Sequence, residues 1–490
     1  MTVPTYDERP SEQSRDQETS SPKWTVLVYQ AGDNNLSEEC VYALKEMKKV
    51  GTEVLMRGEG EADPLLNVVV QFDPSGHGNP TRRFKIRAPG GDGTLEHDEL
   101  KRKRKPETDT GDAETLLDFL CESIEENPTT YYMVVLAGHG AGIREGFFLQ
   151  DDERPLSSIP NSFPIPMLKE VFHSDRLKKA LGADRKINIL GLDACAMSMV
   201  EVCYELRGTK TLELLAASEG FSLNAGWPFD RIIEHIRDNP NIGPDDLAEF
   251  IVKQYVRYYH DYFLGGASVD QSIIVLEKVE DLKQSIDHLA NTLIDEFEKE
   301  SPKPDEGYDE KGKPFQDAIL LAHWAAQSYN GEQCIDLYDF CTLLQKRYPP
   351  KESDGEKSVW FACERVKKIL GDPASQTINS GANQFIRKSC YSGAAFQYSF
   401  GASLYFPWGE LDFAPSYTLL DFTRYSDWPR FLELYLKKTK RQERERPKRF
   451  RATPPTDRGP GGKIFSMRNP PTTFGLSKCI KQRDGDVEVE

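Results

Sequence analysis

The sequence predicts an α/β fold in which helices cover both faces of a mainly parallel sheet, a three-layer sandwich completed by a helical C-terminal lobe. Its apolar runs are continuous and rich in aliphatic and β-branched residues, which is typical of strands buried on both faces. Amphipathic helical patterns separate these runs, as the crossover connections between parallel strands require. Beyond the last of these runs helical patterns dominate, and they predict the C-terminal lobe.

Strands and helices alternate from the first apolar run onward. The predicted strands are 24–30, 66–72, 131–138, 187–192, 212–218 and 271–278, with a further strand within 400–408. The predicted helices are one that follows a loop within 31–51, then 113–126, 176–182 and 197–208, and in the C-terminal lobe 316–329 and 334–348. This order predicts a sheet built from consecutive βα units.

Composition divides the chain into five segments. Its 490 residues, 38% of them hydrophobic, are typical of a soluble globular protein with more than one lobe. We predict a disordered polar segment over 1–23, a core over 24–300, a charged Pro/Gly-rich linker over 301–314, a C-terminal lobe over 315–436 and a basic disordered tail over 437–490. No apolar stretch approaches the roughly 20 residues of a membrane span, so we expect no membrane partner.

The charge of the chain is unevenly distributed. Residues 437–463 carry a net charge of +8, so the rest of the chain carries −25 of the overall −17. An acidic body disfavours nucleic acid as a partner and favours cationic substrates. The polar N-terminus and nine cysteines without zinc-type pairs predict reduced thiols and a cytoplasmic location. The basic run KRKRK at 101–105 leaves nuclear import open, beside a plain solvated charge run and a processing site.

Reactive side chains stand at the ends of two neighbouring predicted strands. The third strand ends in LAGHGAG, which contains His139, and the fourth ends in GLDACA, which contains Cys195. Ligands bind at the carboxyl ends of parallel strands, and a thiol beside an imidazole is the reactive pair of a cysteine protease. The glycines around His139 allow close approach of a substrate and offer N–H groups to an oxyanion. The plainer alternative is that Cys195 is an inert buried thiol.

Several separated motifs, in the same order, resemble the clostripain family of cysteine peptidases. They are WTVLVYQAGDNNLSE, LAGHGAG, LGLDACAMSMVEV, IDLYDF and ASLYFP, and the resemblance runs from about Trp24 to about Leu436. It implies the caspase-haemoglobinase fold that caspases, gingipains and legumains share. By the same resemblance, His139 and Cys195 form the catalytic dyad, and the N–H groups of Gly140 and Cys195 bind the oxyanion.

The family cleaves after Arg or Lys, and the acidic residue two positions before the nucleophile is associated with that preference. Asp193 holds that position here, and a cationic side chain needs such a carboxylate in its pocket. The alternative role of Asp193 is to cap the following helix or to hydrogen-bond the turn. Glu219, which follows the next strand, is a second candidate for the same pocket.

Maturation and calcium are further expectations from the resemblance. Clostripain-like zymogens are cut between the two catalytic motifs, which here means within 141–186 at Arg144, Arg154 or Lys169. Calcium dependence is known in the family, although QDDE at 150–153 lacks the alternating oxygens of a dedicated calcium loop. We expect no cofactor to be required for the chemistry, and no metal site is assigned.

A second Gly-His-Gly sequence surrounds His77. It lies beyond Asp73-Pro74 and before Pro80, in a stretch that predicts a hairpin loop, so we do not assign His77 a catalytic role. The sequence therefore predicts a cysteine endopeptidase that acts on polypeptides after Arg or Lys. A non-catalytic scaffold that binds partners through its C-terminal lobe and basic tail is the alternative. A peptidase with another specificity, such as cleavage after Asp, is disfavoured by the negative charge of Asp193.

Overall fold

The structure is a computed structural model of the 490-residue chain. It describes residues 22–52, 65–76, 78–87, 89, 95–100, 108–143, 148–152, 162–223, 225–262, 268–300, 314–329, 333–350, 355, 358–371, 384–409 and 414–445. The predicted segments 1–21, 101–105, 301–313 and 446–490, together with His77, Arg144 and Arg154, lie outside these residues.

An eight-stranded sheet forms the centre of the molecule. Its strands are β1 (Trp24–Gly32), β2 (Asn67–Pro74), β3 (Arg82–Ile86), β4 (Tyr131–Ala137), β5 (Ile187–Asp193), β6 (Leu212–Ala217), β7 (Val269–Val275) and β10 (Ile386–Ser392). The order across the sheet is β10-β7-β6-β5-β4-β1-β2-β3. The five strands from β6 to β2 are mutually parallel, whereas β3, β7 and β10 pair antiparallel at the two sides. The predicted mainly parallel sheet is confirmed.

Helices cover both faces of this sheet. In the first half of the chain they are α1 (Ser37–Val50), α2 (Ala113–Glu126), α3 (Ile165–His173), α4 (Asp175–Leu181), α5 (Val200–Glu205), α6 (Phe229–Asp238) and α7 (Pro244–Tyr262). One face packs on α1, α6 and α7, and the other on α2 to α5. Alternate residues of each strand enter the two cores, which is why the strand sequences are apolar without interruption.

The C-terminal part of the chain is joined to the sheet. Its helices are α8 (Val279–Lys299), α9 (Pro314–Ala325), α10 (Leu337–Arg347), α11 (Val359–Leu370), α12 (Asp421–Tyr425) and α13 (Trp428–Glu445). A small antiparallel sheet contains β8 (Ser328–Tyr329), β9 (Cys334–Asp336) and β11 (Ser403–Tyr405) in the order β11-β9-β8. These elements share one hydrophobic core with the second face of the large sheet, and β10 extends the large sheet itself.

Several local predictions were wrong in their bounds. The helix expected over 316–329 ends at Ala325, and Ser328–Tyr329 form strand β8 instead. The strand expected over 271–278 ends at Val275. The helix expected from residue 197 begins at Val200, because Met199 is held in a bridge to Ser403 and Ser198 bonds to the backbone at Ser218. The helix expected over 334–348 begins only at Leu337, since Cys334 pairs in the small sheet. Helix α13 continues to Glu445, beyond the predicted start of the disordered tail at 437. Its Lys, Arg, Gln and Glu residues favour helix, and after Pro429 in its first turn the next proline stands at 447.

The antiparallel pairing of β2 with β3 makes 75–81 the connection of a hairpin, as the sequence around His77 predicts. Among the described helices, none combines the length and apolar character that crossing a membrane needs.

Candidate active site

The registers of three neighbouring parallel strands place the candidate site residues at one level of the sheet. Gln30 of β1 pairs with Ala137 of β4, which in turn pairs with Asp193 of β5. Residues in register on parallel strands point to the same face, and here it is the face covered by α1, α6 and α7. His139 lies two residues after Ala137, and Cys195 lies two residues after Asp193. Both therefore continue the alternation of side chains between the two faces beyond the ends of β4 and β5.

A pocket lies at this edge of the sheet, between α1 and residues 222–223 and 225–229. It encloses about 530 Å³ of empty space including its open mouth. Its lining residues are Gln30, Leu36, Glu39, Cys40, Ala43, Ala137, Gly138, His139, Asp193, Cys195, Ser222, Leu223, Ala225, Gly226 and Phe229. The structure thus brings together His139, Cys195 and Asp193, three of the residues that the sequence predicted for the site.

Cys195 lies in a sharp turn immediately after β5. The next residue, Ala196, has φ 56°, a left-handed conformation that costs energy in a residue with a side chain. The turn is held by hydrogen bonds from the Ala196 N–H to the Gly220 carbonyl at 2.8 Å and from the Cys195 thiol to the Ser222 carbonyl at 3.5 Å. Burial raises the pKa of the Cys195 thiol to about 11, although its bond to Ser222 acts in the opposite direction. The thiol is therefore neutral near pH 7.

His139 is oriented by a residue that the sequence analysis did not single out. Its Nε2 atom lies 2.6 Å from the Oδ1 atom of Asn35, which follows β1. Because Oδ1 is an acceptor, Nε2 carries the proton and Nδ1 of the neutral ring is left as the acceptor. Burial lowers the pKa of His139, and the charge of Asp152 partly opposes this change. The motif AGDNNLSE contains Asn35, but only the folded chain shows which of its polar residues reaches the histidine.

The loop that carries His139 and the turn that carries Cys195 are in backbone contact at Gly140. A Cβ atom at Gly140 would lie 2.6 Å from the Cys195 carbonyl oxygen and 2.9 Å from the Cys195 nitrogen. Only glycine fits this approach, which explains the His-Gly pair in the sequence. The role of these two N–H groups as oxyanion donors stays a prediction.

Asp193 lies on the floor of the pocket and is 7% exposed. Its Oδ2 atom accepts the N–H of Trp227 at 2.9 Å, and a Cβ at Gly226 would lie 2.6 Å from that oxygen. Its Oδ1 atom has no hydrogen-bond partner in the described part of the chain. Burial raises the pKa of Asp193 to about 7, against the lowering effect of the Trp227 N–H. Helix α5 starts seven residues later and has no side-chain cap, so Asp193 does not cap it.

Glu219 is not brought to this pocket, and its assignment as a pocket residue is corrected by the structure. It is fully buried, and its Oε2 atom accepts the Gly401 N–H at 2.8 Å. Burial raises the pKa of Glu219 well above its ordinary value, and the charges of Asp336 and Asp270 raise it further. Asp270 in turn accepts the N–H groups of Glu219 and Gly220. These carboxyls join the end of β6 to the C-terminal part of the chain.

The wall of the pocket opposite α1 is positioned by Tyr259 of α7. Its hydroxyl donates to the Gly226 carbonyl at 2.6 Å, and the Gly226 N–H closes a turn on the Leu223 carbonyl at 2.9 Å. This turn positions the Trp227 N–H so that it donates to Asp193. Sequence reasoning missed Tyr259 because it lies in the last turn of an amphipathic helix, where an aromatic residue indicates packing.

Two further expectations concern the segment between the catalytic motifs. Lys169 lies within α3 and forms an ion pair with Asp421 at 2.6 Å, so it does not offer the extended chain that a protease cuts. Two of the QDDE carboxylates are engaged by the protein: Asp151 accepts the Thr110 N–H and Asp152 accepts from the Gln150 amide. Glu153 lies outside the described residues. In the ranges that the structure covers, no group of three or more His, Cys, Asp or Glu side chains is placed to hold a metal ion. Calcium dependence stays an expectation, and no step is assigned to calcium.

Comparison with known proteins places this chain among cysteine proteases. A sequence profile of the clostripain family matches residues 28–434. Clostripain of Hathewaya histolytica is 24% identical over 455 residues, a match that covers 83% of this chain and 78% of that protein.

Two solved structures have the same fold. A secreted cysteine protease of Bacteroides thetaiotaomicron bound to an irreversible peptide inhibitor has a TM-score of 0.53 at 16% identity, covering 84% of this chain and 99% of that chain. The structure of a secreted cysteine protease of that organism described as iotapain has a TM-score of 0.52 at 14% identity, with the same coverage.

The chain thus combines an α/β sandwich that carries Cys195 at the carboxyl edge of its parallel sheet with a family match that assigns it to the cysteine-type peptidases. The family profile extends over most of the chain, from the first strand into the last helix. The chain belongs to the clostripain family.

Proposed function

We propose that the protein is an endopeptidase that hydrolyses peptide bonds after Arg or Lys, with Cys195 as the nucleophile and His139 as the general base. One observation carries the proposal: both side chains line the pocket whose floor is Asp193, a buried carboxylate with one oxygen that no described residue pairs. Nucleophile, base and cation acceptor are thereby within reach of one substrate residue and its scissile bond.

The reaction begins with transfer of the Cys195 proton to His139. A thiol with a pKa of about 11 is a weak nucleophile near pH 7, so the transfer accompanies the attack of sulfur on the substrate carbonyl. His139 accepts the proton on Nδ1, since Asn35 occupies Nε2. The imidazolium then gives this proton to the leaving amine as the C–N bond breaks. Water, deprotonated by His139, attacks the thioester, and the C–S bond breaks to release the acid and restore the thiol.

The tetrahedral intermediate needs hydrogen-bond donors for its oxyanion. The N–H groups of Gly140 and Cys195 are the proposed donors, and the close contact of these two backbones supports this assignment. Removal of one such donor in a protease costs about 100- to 1000-fold in rate.

Asp193 provides the preference for a basic residue. Its burial penalises the ionised carboxylate in the empty pocket, and an incoming Arg or Lys cation relieves that penalty. An acidic substrate residue would increase the penalty, which disfavours cleavage after Asp. The overall charge of −17 also favours the approach of cationic peptides.

Self-processing is the proposed route of activation. Of the three candidate sites, Lys169 is held in a helix, so the proposal rests on Arg144 and Arg154. Mass spectrometry of the wild-type and Cys195→Ala proteins after purification tests it. We expect fragments cut after one of these arginines in the wild type alone, and an intact wild-type chain with full activity would refute self-processing.

The catalytic proposal is tested with fluorogenic peptides that end in Arg, Lys or Asp, with and without calcium. The wild type is compared with Cys195→Ala and with Cys390→Ala, which removes a half-buried thiol of β10 outside the pocket. We expect cleavage after Arg or Lys, abolished by Cys195→Ala and retained in Cys390→Ala. Full activity of Cys195→Ala would exclude the assigned nucleophile, and absence of cleavage by the wild type would favour a non-catalytic scaffold.

A further inference from the structure

We propose that Gln30 is a specificity-determining residue, whose side-chain oxygen forms with Asp193 a pair of acceptors that fits an arginine guanidinium better than a lysine ammonium. This inference rests on the proposed function, because it concerns the residue that occupies the same pocket. It assigns arginine as the preferred substrate class.

The sheet places the two side chains on either side of a gap. Gln30, Ala137 and Asp193 are in register on three adjacent strands, so the backbones of Gln30 and Asp193 are about 10 Å apart, twice the strand spacing. The middle residue has only a methyl group. The two polar side chains therefore stand on either side of the small Ala137 side chain, and all three residues line the pocket.

Hydrogen bonding determines which atom of Gln30 is left for a ligand. Its Nε2 atom donates to the Cys40 carbonyl at 3.2 Å, so the amide orientation is fixed and Oε1 is the remaining polar atom. Oε1 is buried and has no hydrogen-bond partner among the described residues, and Gln30 is only 1% exposed. Oδ1 of Asp193 is likewise buried and has no hydrogen-bond partner among the described residues. The other oxygen, Oδ2, accepts the Trp227 N–H.

Two unpaired buried acceptors in one pocket are costly unless a ligand pairs them. Leaving a buried acceptor unsatisfied destabilises a protein, and where two such acceptors line one pocket, a ligand that donates to both relieves that cost. The ligand must supply several N–H donors, and it must be cationic because one acceptor is a carboxylate. The pocket thus selects a basic side chain by hydrogen bonding as well as by charge.

The geometry of the two acceptors distinguishes arginine from lysine. A guanidinium presents five N–H donors along the edges of a rigid plane, so it can bond acceptors on opposite sides at the same time. An ammonium is a compact point charge that pairs with Asp193 and leaves Gln30 Oε1 unsatisfied. Gln30 therefore contributes to the binding of arginine and contributes little to the binding of lysine.

The test replaces Gln30 with a residue of similar length that has no acceptor. Gln30→Met keeps the volume and removes Oε1, and Gln71→Met is the matched control. Gln71 is a buried glutamine of β2 that contacts Arg83 and lies on the opposite face of the sheet from the pocket. For each protein, kcat/KM is measured on two peptides that differ only in Arg or Lys at the cleaved position, and thermal unfolding is followed in parallel.

We expect the Arg/Lys ratio of kcat/KM to fall about 10- to 100-fold in Gln30→Met, the range for one hydrogen bond to a charged group, with the lysine peptide changed by less than about threefold. Gln71→Met should leave the ratio at the wild-type value even if it lowers stability. A purely structural role of Gln30 would lower kcat/KM for both peptides together. An unchanged ratio in Gln30→Met overturns the inference while leaving the proposed function intact.

A binding measurement keeps the inference testable if the purified chain cleaves neither peptide, the result that would instead count against the proposed function. Product peptides that end in Arg or Lys are titrated calorimetrically into Cys195→Ala and into the double variant with Gln30→Met. We expect Cys195→Ala, which keeps Gln30, to bind the arginine peptide at least about tenfold more tightly than the lysine peptide. This difference should disappear in the double variant. Equal affinities for both peptides in Cys195→Ala would refute the inference.

Discussion

Replacement of Asp193 by asparagine should make the protein more stable and less active at the same time. Asparagine keeps an oxygen for the Trp227 N–H and removes the buried charge. A carboxyl whose pKa is higher in the folded state binds more protons when folded, so its contribution to stability falls as the pH rises from the unfolded to the folded pKa. For Asp193 this window runs from 3.8 to about 7, and above it the penalty is complete.

The size of the effect follows from the same two values. The difference between a pKa of 3.8 and one of about 7 corresponds to about 4 kcal/mol. At pH 8 the Asp193→Asn protein should therefore exceed the wild type in free energy of unfolding by up to about 4 kcal/mol. At pH 4 the two should be nearly equal, because Asp193 is then protonated in the folded state. Cleavage after Arg should fall by about 100-fold or more, the usual cost of removing one partner of a buried charge pair.

The assay is urea unfolding of both proteins from pH 4 to pH 8, with kcat/KM for an arginine peptide measured on the same preparations. Asp421→Asn is a control for which the stability should change in the opposite direction. Burial raises the pKa of Asp421, but hydrogen bonds from Lys169 and Arg207 outweigh it and hold the pKa below its ordinary value. Its stabilising contribution is present at pH 8 and is lost as the pH falls, so that variant should be destabilised at pH 8. Equal stability of Asp193→Asn and wild type at pH 8 would refute the reasoning.

Three further substitutions test the parts that position the site. Asn35→Ala should lower kcat about tenfold with a smaller change in KM, because His139 loses the partner that fixes its tautomer; steady-state kinetics that show no change in kcat would argue against this role. Tyr259→Phe removes the hydrogen bond to the Gly226 carbonyl and should raise KM for arginine peptides about three- to tenfold. An unchanged KM would show that the turn keeps its conformation without this bond. Gly140→Ala places a methyl group 2.6 Å from a backbone oxygen of the nucleophile and should abolish cleavage while circular dichroism stays native; substantial residual activity would contradict the packing.

The central strands and the two reactive residues were predictable because each depends on local sequence. Buried parallel strands are continuous apolar runs, and His139 and Cys195 directly follow two of them. The strands β3 and β10 were missed because they lie at the sides of the sheet, and β10 combines charged and polar residues that only its pairing with β7 explains.

The floor of the pocket was only half predictable. Asp193 stands two residues before Cys195, whereas Gln30 reaches the same level through the registers of β1, β4 and β5 across more than 160 residues of sequence. Glu219 was misassigned for the converse reason. It follows a strand as His139 and Cys195 do, yet it lies beside Asp336, which comes from a distant element, in a separate carboxyl cluster.

The position of β10 has a consequence for how the chain is made and handled. It pairs along the whole of β7 and is the last strand of the large sheet to emerge during synthesis, more than 100 residues after β7. A fragment that ends before it, such as 24–300, would expose the N–H and C=O groups of β7 to other molecules. Unprotected strand edges of this kind recruit neighbouring chains and form aggregates. The fragment 24–300 should therefore precipitate when it is expressed alone. Soluble expression should need a chain that continues at least through β10.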